Sequence, residues 1–365
     1  LAGRLAVTLS RSGGFGTNYY TGETDQGEVG HSLAAQSKWV WRPAGSLQLT
    51  AAADYQNLDQ DFSFRPVAGY QPLGQPRVQS FRDGDQDASL RHRFRYGGIS
   101  VRADAEIGAA SLMSLSAFRR MDAHYGNDLD QGPQHLWSAD ASARQEQFSQ
   151  ELQLRSSGSS RVRWLAGLYY IHIRERYDPT LFDYGGSYSA RLGGRLRQTL
   201  YSRGTASSYA AYGVAELPIG KQTELTLGLR HTTEKRSVAA NGEQLFADPP
   251  FVRPIAGLPL LRDAPLRSAE AIHELTWRAS LERHFSRQVM AYFSAGRGFQ
   301  RGGWNLHTPQ SPAFGPERLN NFEGGLRYLS APRAVSADAS AFYYDYSDLQ
   351  VTAITPIGSA TSNAA

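Results

Sequence analysis

Apolar and polar residues alternate with period two along much of this chain. In Ile99–Ile107, one set is Ile99, Val101, Ala103, Ala105 and Ile107, and the other is Ser100, Arg102, Asp104 and Glu106. Successive strand side chains point to opposite faces, so the segment predicts a strand with one apolar and one wet face. Leu225, Leu227 and Leu229 stand in the same way against Glu224, Thr226 and Arg230. So do Leu275, Trp277, Ala279 and Leu281 against Glu274, Thr276, Arg278, Ser280 and Glu282. Leu47 to Tyr55 and Phe148 to Arg155 repeat the pattern, with Gln150 a polar intrusion on the apolar side. Thirteen strands are predicted, at about 3–12, 31–41, 47–58, 90–107, 111–123, 146–157, 161–176, 204–217, 221–236, 271–284, 287–300, 320–330 and 333–348. Gly97-Gly98 is read as a bulge or kink within one long strand rather than a turn.

The connections sharpen this reading. Short ones fall near 42–46, 108–110, 157–161, 218–221, 284–287 and 330–333, and long ones near 13–30, 59–89, 124–145, 177–203, 237–270 and 301–319. Short and long alternate throughout. A soluble sandwich has no reason to gather every long loop at one end, whereas an outer-membrane barrel does. Trp39, Trp41, Trp164 and Tyr328 lie beside short turns, and Tyr55, Tyr170 and Tyr343 lie towards long loops. That placement suits the two aromatic girdles of a membrane barrel. The fold class predicted is therefore all-β, a transmembrane antiparallel up-and-down barrel.

Composition permits this and removes alternatives. The mean hydropathy is −0.46 and 20% of the 365 residues are charged. Outside the polar tail after Asp348, the longest uncharged run is the 15 residues 302–316, short of the roughly 20 that a membrane helix needs. Barrel strands escape that test because only alternate residues meet lipid. Cysteine is absent, which excludes disulfides, thiolate metal sites and cysteine nucleophiles. The net charge of +4 is carried by arginine rather than lysine. It suits anionic partners such as lipopolysaccharide phosphates, or reflects a compositional bias; its dispersal gives nucleic-acid binding no support. The start, Leu1–Val7, has no signal-peptide character.

The nine histidines show no zinc-ligand spacing, and no nucleophile elbow, phosphate loop or dinucleotide fingerprint occurs. No metal, cofactor or catalytic role is expected. The acidic pairs Asp85/Asp87 and Asp128/Asp130 could bind calcium in an outer loop, but are read as solvated loop carboxylates.

Several stretches resemble TonB-dependent receptor barrels. Gly14–Asn18 with Thr21-Gly22 looks like a first loop segment of that family; Phe148–Leu154 followed by Trp164–Tyr170 is similar to one of its hairpins, and Glu224–Arg230 to its strand ending in Gly-Leu-Arg. Ala291–Asn305 resembles the family's Arg-Gly-Phe…Gly-Gly-Phe-Asn signature, with Trp304 for phenylalanine. Pro316-Glu317, Asn321–Arg327 and Phe342–Val351 continue it in order. The resemblance implies a barrel of about 22 strands in the Gram-negative outer membrane, filled by an N-terminal plug and energised by TonB. On that reading residues 1–365 are an internal run of barrel strands, lacking the plug, the first strands and the last.

What the resemblance implies is active import of ferric-siderophore-like cargo, with no covalent chemistry. Partners would be outer-membrane lipid and lipopolysaccharide, the TonB complex through the plug, and an iron chelate or similar small molecule. Loop aromatics and a cation are the candidate ligand contacts: Tyr19, Tyr20, Phe62, Phe64, Tyr70, Trp137, Tyr184 and Trp304, with Arg301. They could stack on aromatic groups and pair with anionic oxygens, or pack the loops against one another. A passive pore and a soluble extracellular β protein with glycan-related activity are the alternative classes.

Overall fold

The computed structural model describes residues 1–24, 30–61, 80, 82–158, 160–185, 195–247, 261–262, 265–305, 313–330, 335–355 and 358–364. All the regular elements among them are strands: β1 Ala2–Ser12, β2 Gly30–Ala44, β3 Leu47–Asp61, β4 Arg91–Ile107, β5 Ala110–Asp128, β6 Trp137–Ser156, β7 Arg163–Tyr184, β8 Arg195–Ile219, β9 Thr223–Ala247, β10 Leu261–Arg262, β11 Leu266–His284, β12 Val289–Gln300, β13 Glu317–Leu329, β14 Ser336–Ser347, β15 Gln350–Thr355 and β16 Gly358–Asn363. Thirteen of them, β1 to β9 and β11 to β14, pair antiparallel in chain order, with β10 added to β9. This is the predicted up-and-down wall. No helix among the described residues is long and apolar enough to cross a membrane.

Residues directly opposed in such a ladder share a face, so the register sorts side chains across the whole wall. One row runs Leu49, Ala103, Ser114, Leu152, Leu168, Ala211 from β3 to β8. Another runs Ile99, Phe118, Phe148. This face stays open to its surroundings: Ile99 is 63% exposed, Leu168 58%, Leu229 55% and Tyr343 65%. A contiguous apolar surface on that scale belongs in lipid, not water. Trp39 and Trp41 stand at one rim of it and Tyr55 and Tyr343 at the other, all exposed. Gln150 is accommodated on the apolar face by β5: its amide donates to Ser114 Oγ at 3.0 Å, and Ser116 Oγ donates to its carbonyl. A polar group in lipid costs little once its hydrogen bonds are made.

The strands run well past this belt, which corrects the predicted loops. β5 continues to Asp128 and β6 begins at Trp137; β7 reaches Tyr184, β8 starts at Arg195 and β9 extends to Ala247. β8 and β9 each have 25 residues, roughly 80 Å of strand at about 3.3 Å per residue, against a belt of about 25 Å. Above the belt lipid no longer dictates every second residue, and apolar residues such as Leu200 and Val238 are buried there among polar ones, so the strict alternation that marks a strand fades while the backbone ladder continues. A second correction concerns the tail after Asp348, where β15 and β16 form a hairpin that no periodicity announces.

A third correction is Gly97-Gly98. Pairing is regular on both sides of β4 there. The glycines answer a close approach instead: a Cβ on Gly97 would lie 2.5 Å from the Asp54 carbonyl oxygen. Register slips occur elsewhere: between Trp41 and Ala44 where β2 meets β3, between Ala141 and Ala143 where β6 meets β7, and between Tyr177 and Thr180 where β7 meets β8. Pro179, which has no N–H to donate, sits in that slip.

On the polar face, the Tyr212 ring covers Gly167, where a Cβ would fall 2.3 Å from the ring. Tyr212 donates to Glu151, accepts from Gln153 at 3.0 Å and lies 5.4 Å beneath the Arg230 guanidinium. Gly167→Ala must displace the ring and is expected to lower barrel stability by about 1–3 kcal/mol. Denaturant unfolding in detergent checks this, with Gly167→Ala/Tyr212→Ala expected to lose less than the sum of its parts; strict additivity would count against the contact.

Candidate functional site

The long connections and upper strand ends converge in two places. The first is a knot of loop carboxylates. Residues 17–19 pair with Gly84, and Asn18 Nδ2 donates to the Gln86 carbonyl at 2.9 Å. Thr17 N donates to Asp83 Oδ1, and the Tyr19 hydroxyl reaches Asp83 Oδ2 at 3.3 Å. On the next connection, Asp130 accepts from Gly132, Leu136 and Trp137 backbone N–H groups. His135 bridges the two, with Nδ1 3.0 Å from Asp87 and Nε2 3.4 Å from Asp183.

These carboxylates are not solvated, contrary to the sequence reading: Asp85 is 4% and Asp128 1% exposed. The two acidic pairs do come together, but Asp130 is already committed to backbone donors. Among the described residues no group of three or more such side chains is arranged to hold a metal ion. Burial pushes the Asp128 carboxyl up to about 7, with Asp130 and then Asp87 adding repulsion, against backbone donors from Gln131 and Ala88. Burial also raises Asp87, opposed by His135. A carboxyl raised in the folded state contributes stability that is complete below its unfolded value of 3.8 and is lost as pH rises through about 7. Amide protection of residues 129–137 is therefore expected to be lower at pH 8 than at pH 6, and Asp128→Asn to abolish the difference. Equal protection at both pH values would refute the buried proton.

The second place is a corner on the polar face of β7–β9. Arg236 on β9 is buried, with its side chain 7% exposed. It bonds Glu270 on β11, lies 3.4 Å from Glu234, and donates to the Gly302 carbonyl at 2.6 Å. Its guanidinium stacks 4.9 Å from the Trp304 ring centroid. The segment after β12 therefore folds back onto the wall. The β15–β16 hairpin clamps it, since Asn305 Nδ2 donates to the Thr361 carbonyl and Asn305 Oδ1 accepts from Thr361 N. Nearby, Arg318 pairs with buried Glu274 at 2.5 Å. Arg301 stays half exposed, 3.5 Å from Glu234. The hollow beside it, about 230 Å³, is lined by Glu175, Tyr177, Arg236, Arg301 and Trp304.

The predicted contacts thus divide. Arg301 and Trp304 meet in this corner. Tyr19 and Tyr20 are exposed on the loop-side knot. Trp137 and Tyr184, read as loop residues, are strand ends: they are register partners on β6 and β7 and stack at 6.0 Å. Phe62, Phe64 and Tyr70 lie outside the described residues. Arg236, Glu270 and Glu274 were not among the site residues expected from the sequence, where Glu274 reads only as a wet-face strand residue. An arginine or glutamate on a strand's wet face looks like any solvated charge until a neighbouring segment covers it.

The chain matches the family described as "TonB dependent receptor-like, beta-barrel" over residues 5–364. No curated protein sequence matches it. Among solved structures, it is similar to the ferric yersiniabactin uptake receptor FyuA from Yersinia pestis, with TM-score 0.74, 19% identity, and 99% of this chain covering 51% of that one. The siderophore receptor PiuA from Acinetobacter baumannii gives 0.65 at 13% identity, covering 99% and 55%. The copper transporter OprC gives 0.64 at 12%, covering 99% and 52%. The chain spans about half the length of these structures. The chain belongs to the TonB-dependent receptor-like β-barrel family, and its strands stand in the outer membrane of a Gram-negative bacterium.

Proposed function

We propose that this chain is the wall and outer rim of an active importer of ferric-siderophore-like cargo, energised by TonB through a plug outside this segment. The parent barrel has about 22 strands on this reading. FyuA and PiuA are named for ferric yersiniabactin uptake and for siderophore reception, which supports the cargo class. The observation that carries the reading is the Arg236–Trp304–Arg301 corner. It presents a half-exposed guanidinium beside an anchored indole, on the polar face, at the edge of a hollow. A cation and an aromatic surface so placed suit the anionic oxygens and planar groups of an iron chelate. The barrel supplies position and selectivity, and no bond is made or broken.

Uptake of radiolabelled ferric siderophores by cells carrying the intact receptor tests this. Arg301→Ala is expected to weaken cargo binding about tenfold, the size of one charge-assisted hydrogen bond, without changing receptor abundance. Uptake should stop when TonB is deleted or the proton-motive force collapsed. Uptake that continues after either treatment would establish a passive pore instead.

A further inference from the structure

The hollow beside Arg301 is cut into the wall by β8. Ser202, Gly204 and Ala206, successive polar-face positions of that strand, are small and form its floor. Larger side chains rise on both flanks, Glu175 and Tyr177 from β7 and Arg236 and Val238 from β9. Trp304, stacked on Arg236, closes one side. The Glu175 carboxylate leans over the floor: a Cβ on Gly204, its register partner, would lie 3.1 Å from Glu175 Oε1. The missing side chain at Gly204 is what lets that carboxylate reach into the hollow.

The charges of the corner balance without Glu175. Arg236 bonds Glu270 and lies 3.4 Å from Glu234, and Arg301 lies 3.5 Å from Glu234. Two guanidiniums therefore meet two carboxylates. Among the described residues no ion pair reaches Glu175, which is exposed and lines the hollow. Its register partner on β6, Gln145, is neutral. The hollow thus carries an uncompensated negative charge on its β7 flank, and the part-exposed Arg301 stands over the β9 flank beside Glu234. Such a carboxylate repels an anionic group, and it binds a charged donor about twice as strongly as a neutral one. At about 230 Å³ the hollow is smaller than the roughly 300–1,000 Å³ of a site that encloses a whole drug-sized ligand. It therefore takes an arm of the cargo, not the chelate itself.

We propose that this hollow is a specificity subsite for a primary ammonium arm of the cargo, which donates to Glu175 against the Tyr177 ring while the anionic oxygens of the chelate turn to Arg301. Glu175 is then the residue that selects by charge: it admits chelates that carry a cationic arm and disfavours those that are anionic throughout. The inference rests on the reading of the cargo as an iron chelate and narrows that class.

The test uses the intact receptor in detergent and linear ferric trihydroxamates that share one iron centre and differ only at the chain end. One ends in a free primary ammonium, one is acetylated there, and one is succinylated and so ends in a carboxylate. Affinity, read by equilibrium dialysis of radiolabelled iron, is expected to fall about tenfold from the ammonium to the acetylated form, the size of one charge-assisted hydrogen bond. The succinylated form should bind more weakly still. Glu175→Gln should bring the ammonium form down to the level of the acetylated one, and Arg301→Ala should weaken all of them. Equal affinities overturn the subsite, as does a preference for the carboxylate end or the absence of binding by every form at millimolar concentration. TonB-dependent uptake of another ferric siderophore would survive each of those results, so the subsite and the cargo reading fail separately. Should Glu175→Gln not assemble, salt decides in the unmodified receptor: an ammonium preference that shrinks as ionic strength rises is expected, and a constant one overturns the subsite.

Discussion

Arg236→Ala in the intact receptor is expected to lower barrel stability by about 3–5 kcal/mol, the largest single-residue effect foreseen for this wall. The guanidinium is 7% exposed and stands between Glu234 and Glu270. Removing it leaves buried Glu234 with only half-exposed Arg301 at 3.5 Å and takes the cation from the part-exposed Glu270, with the Gly302 carbonyl and the Trp304 ring also losing their partner. Most of the cost is the stranded charge, so the remedy is specific. Arg236→Met combined with Glu234→Gln and Glu270→Gln should recover much of the loss, because an apolar replacement for a buried ion cluster is often neutral. Denaturant unfolding in detergent measures both. A loss below about 1 kcal/mol for Arg236→Ala, in the range of a surface pair, would mean that the corner is open to water and does not anchor the segment after β12.

The second large effect is expected on the opposite face. Leu168 on β7 is 58% exposed and lies between its register partners Leu152 and Ala211. Leu168→Arg is expected to destabilise the barrel by about 2–4 kcal/mol when folded into lipid vesicles, the cost of a cation near the bilayer midplane. Gln147→Arg, on the polar face of β6 opposite Ile173, should cost well under half of that. Equal costs for the two would show that the apolar face does not meet lipid. The comparison also separates a membrane belt from a protein-covered surface, since a soluble partner would show its penalty without vesicles.

These two variants probe the two sides of one principle. The outward face is held by lipid and the inward face by paired charges and stacked rings. The upper strands belong to neither regime, and there the wall depends on its continuous backbone ladder and on covered clusters such as Asp87, His135 and Asp183. On the proposed function that region also carries the cargo contacts, so its stability and its specificity would rest on the same side chains.

Within the belt, sequence and structure agree because lipid imposes a strict rule on every second residue. Ile99–Ile107, Leu225–Leu229 and Leu275–Leu281 could be sorted by eye, and the thirteen strands of the wall with their short turns followed. The motif around Arg301 and Trp304 was also visible, since its glycines and aromatic are unusual residue types for a strand end. Above the belt nothing forces alternation, so the extensions of β5 to β9 were unreadable, and Trp137 and Tyr184 passed for loop residues. Burial of Asp128 and Arg236 arises only when separate connections fold over them, a pairing across 66 residues in the case of Arg236 and Gly302. The same holds for Glu175, Gly204 and Trp304, which are dispersed along the chain and gathered round one hollow by register and loop docking. What the amino-acid sequence determined by itself was the face each belt residue takes, because a period-two pattern is local. What only the tertiary structure decided was which charges meet, because strand register and loop docking join residues that no local pattern connects.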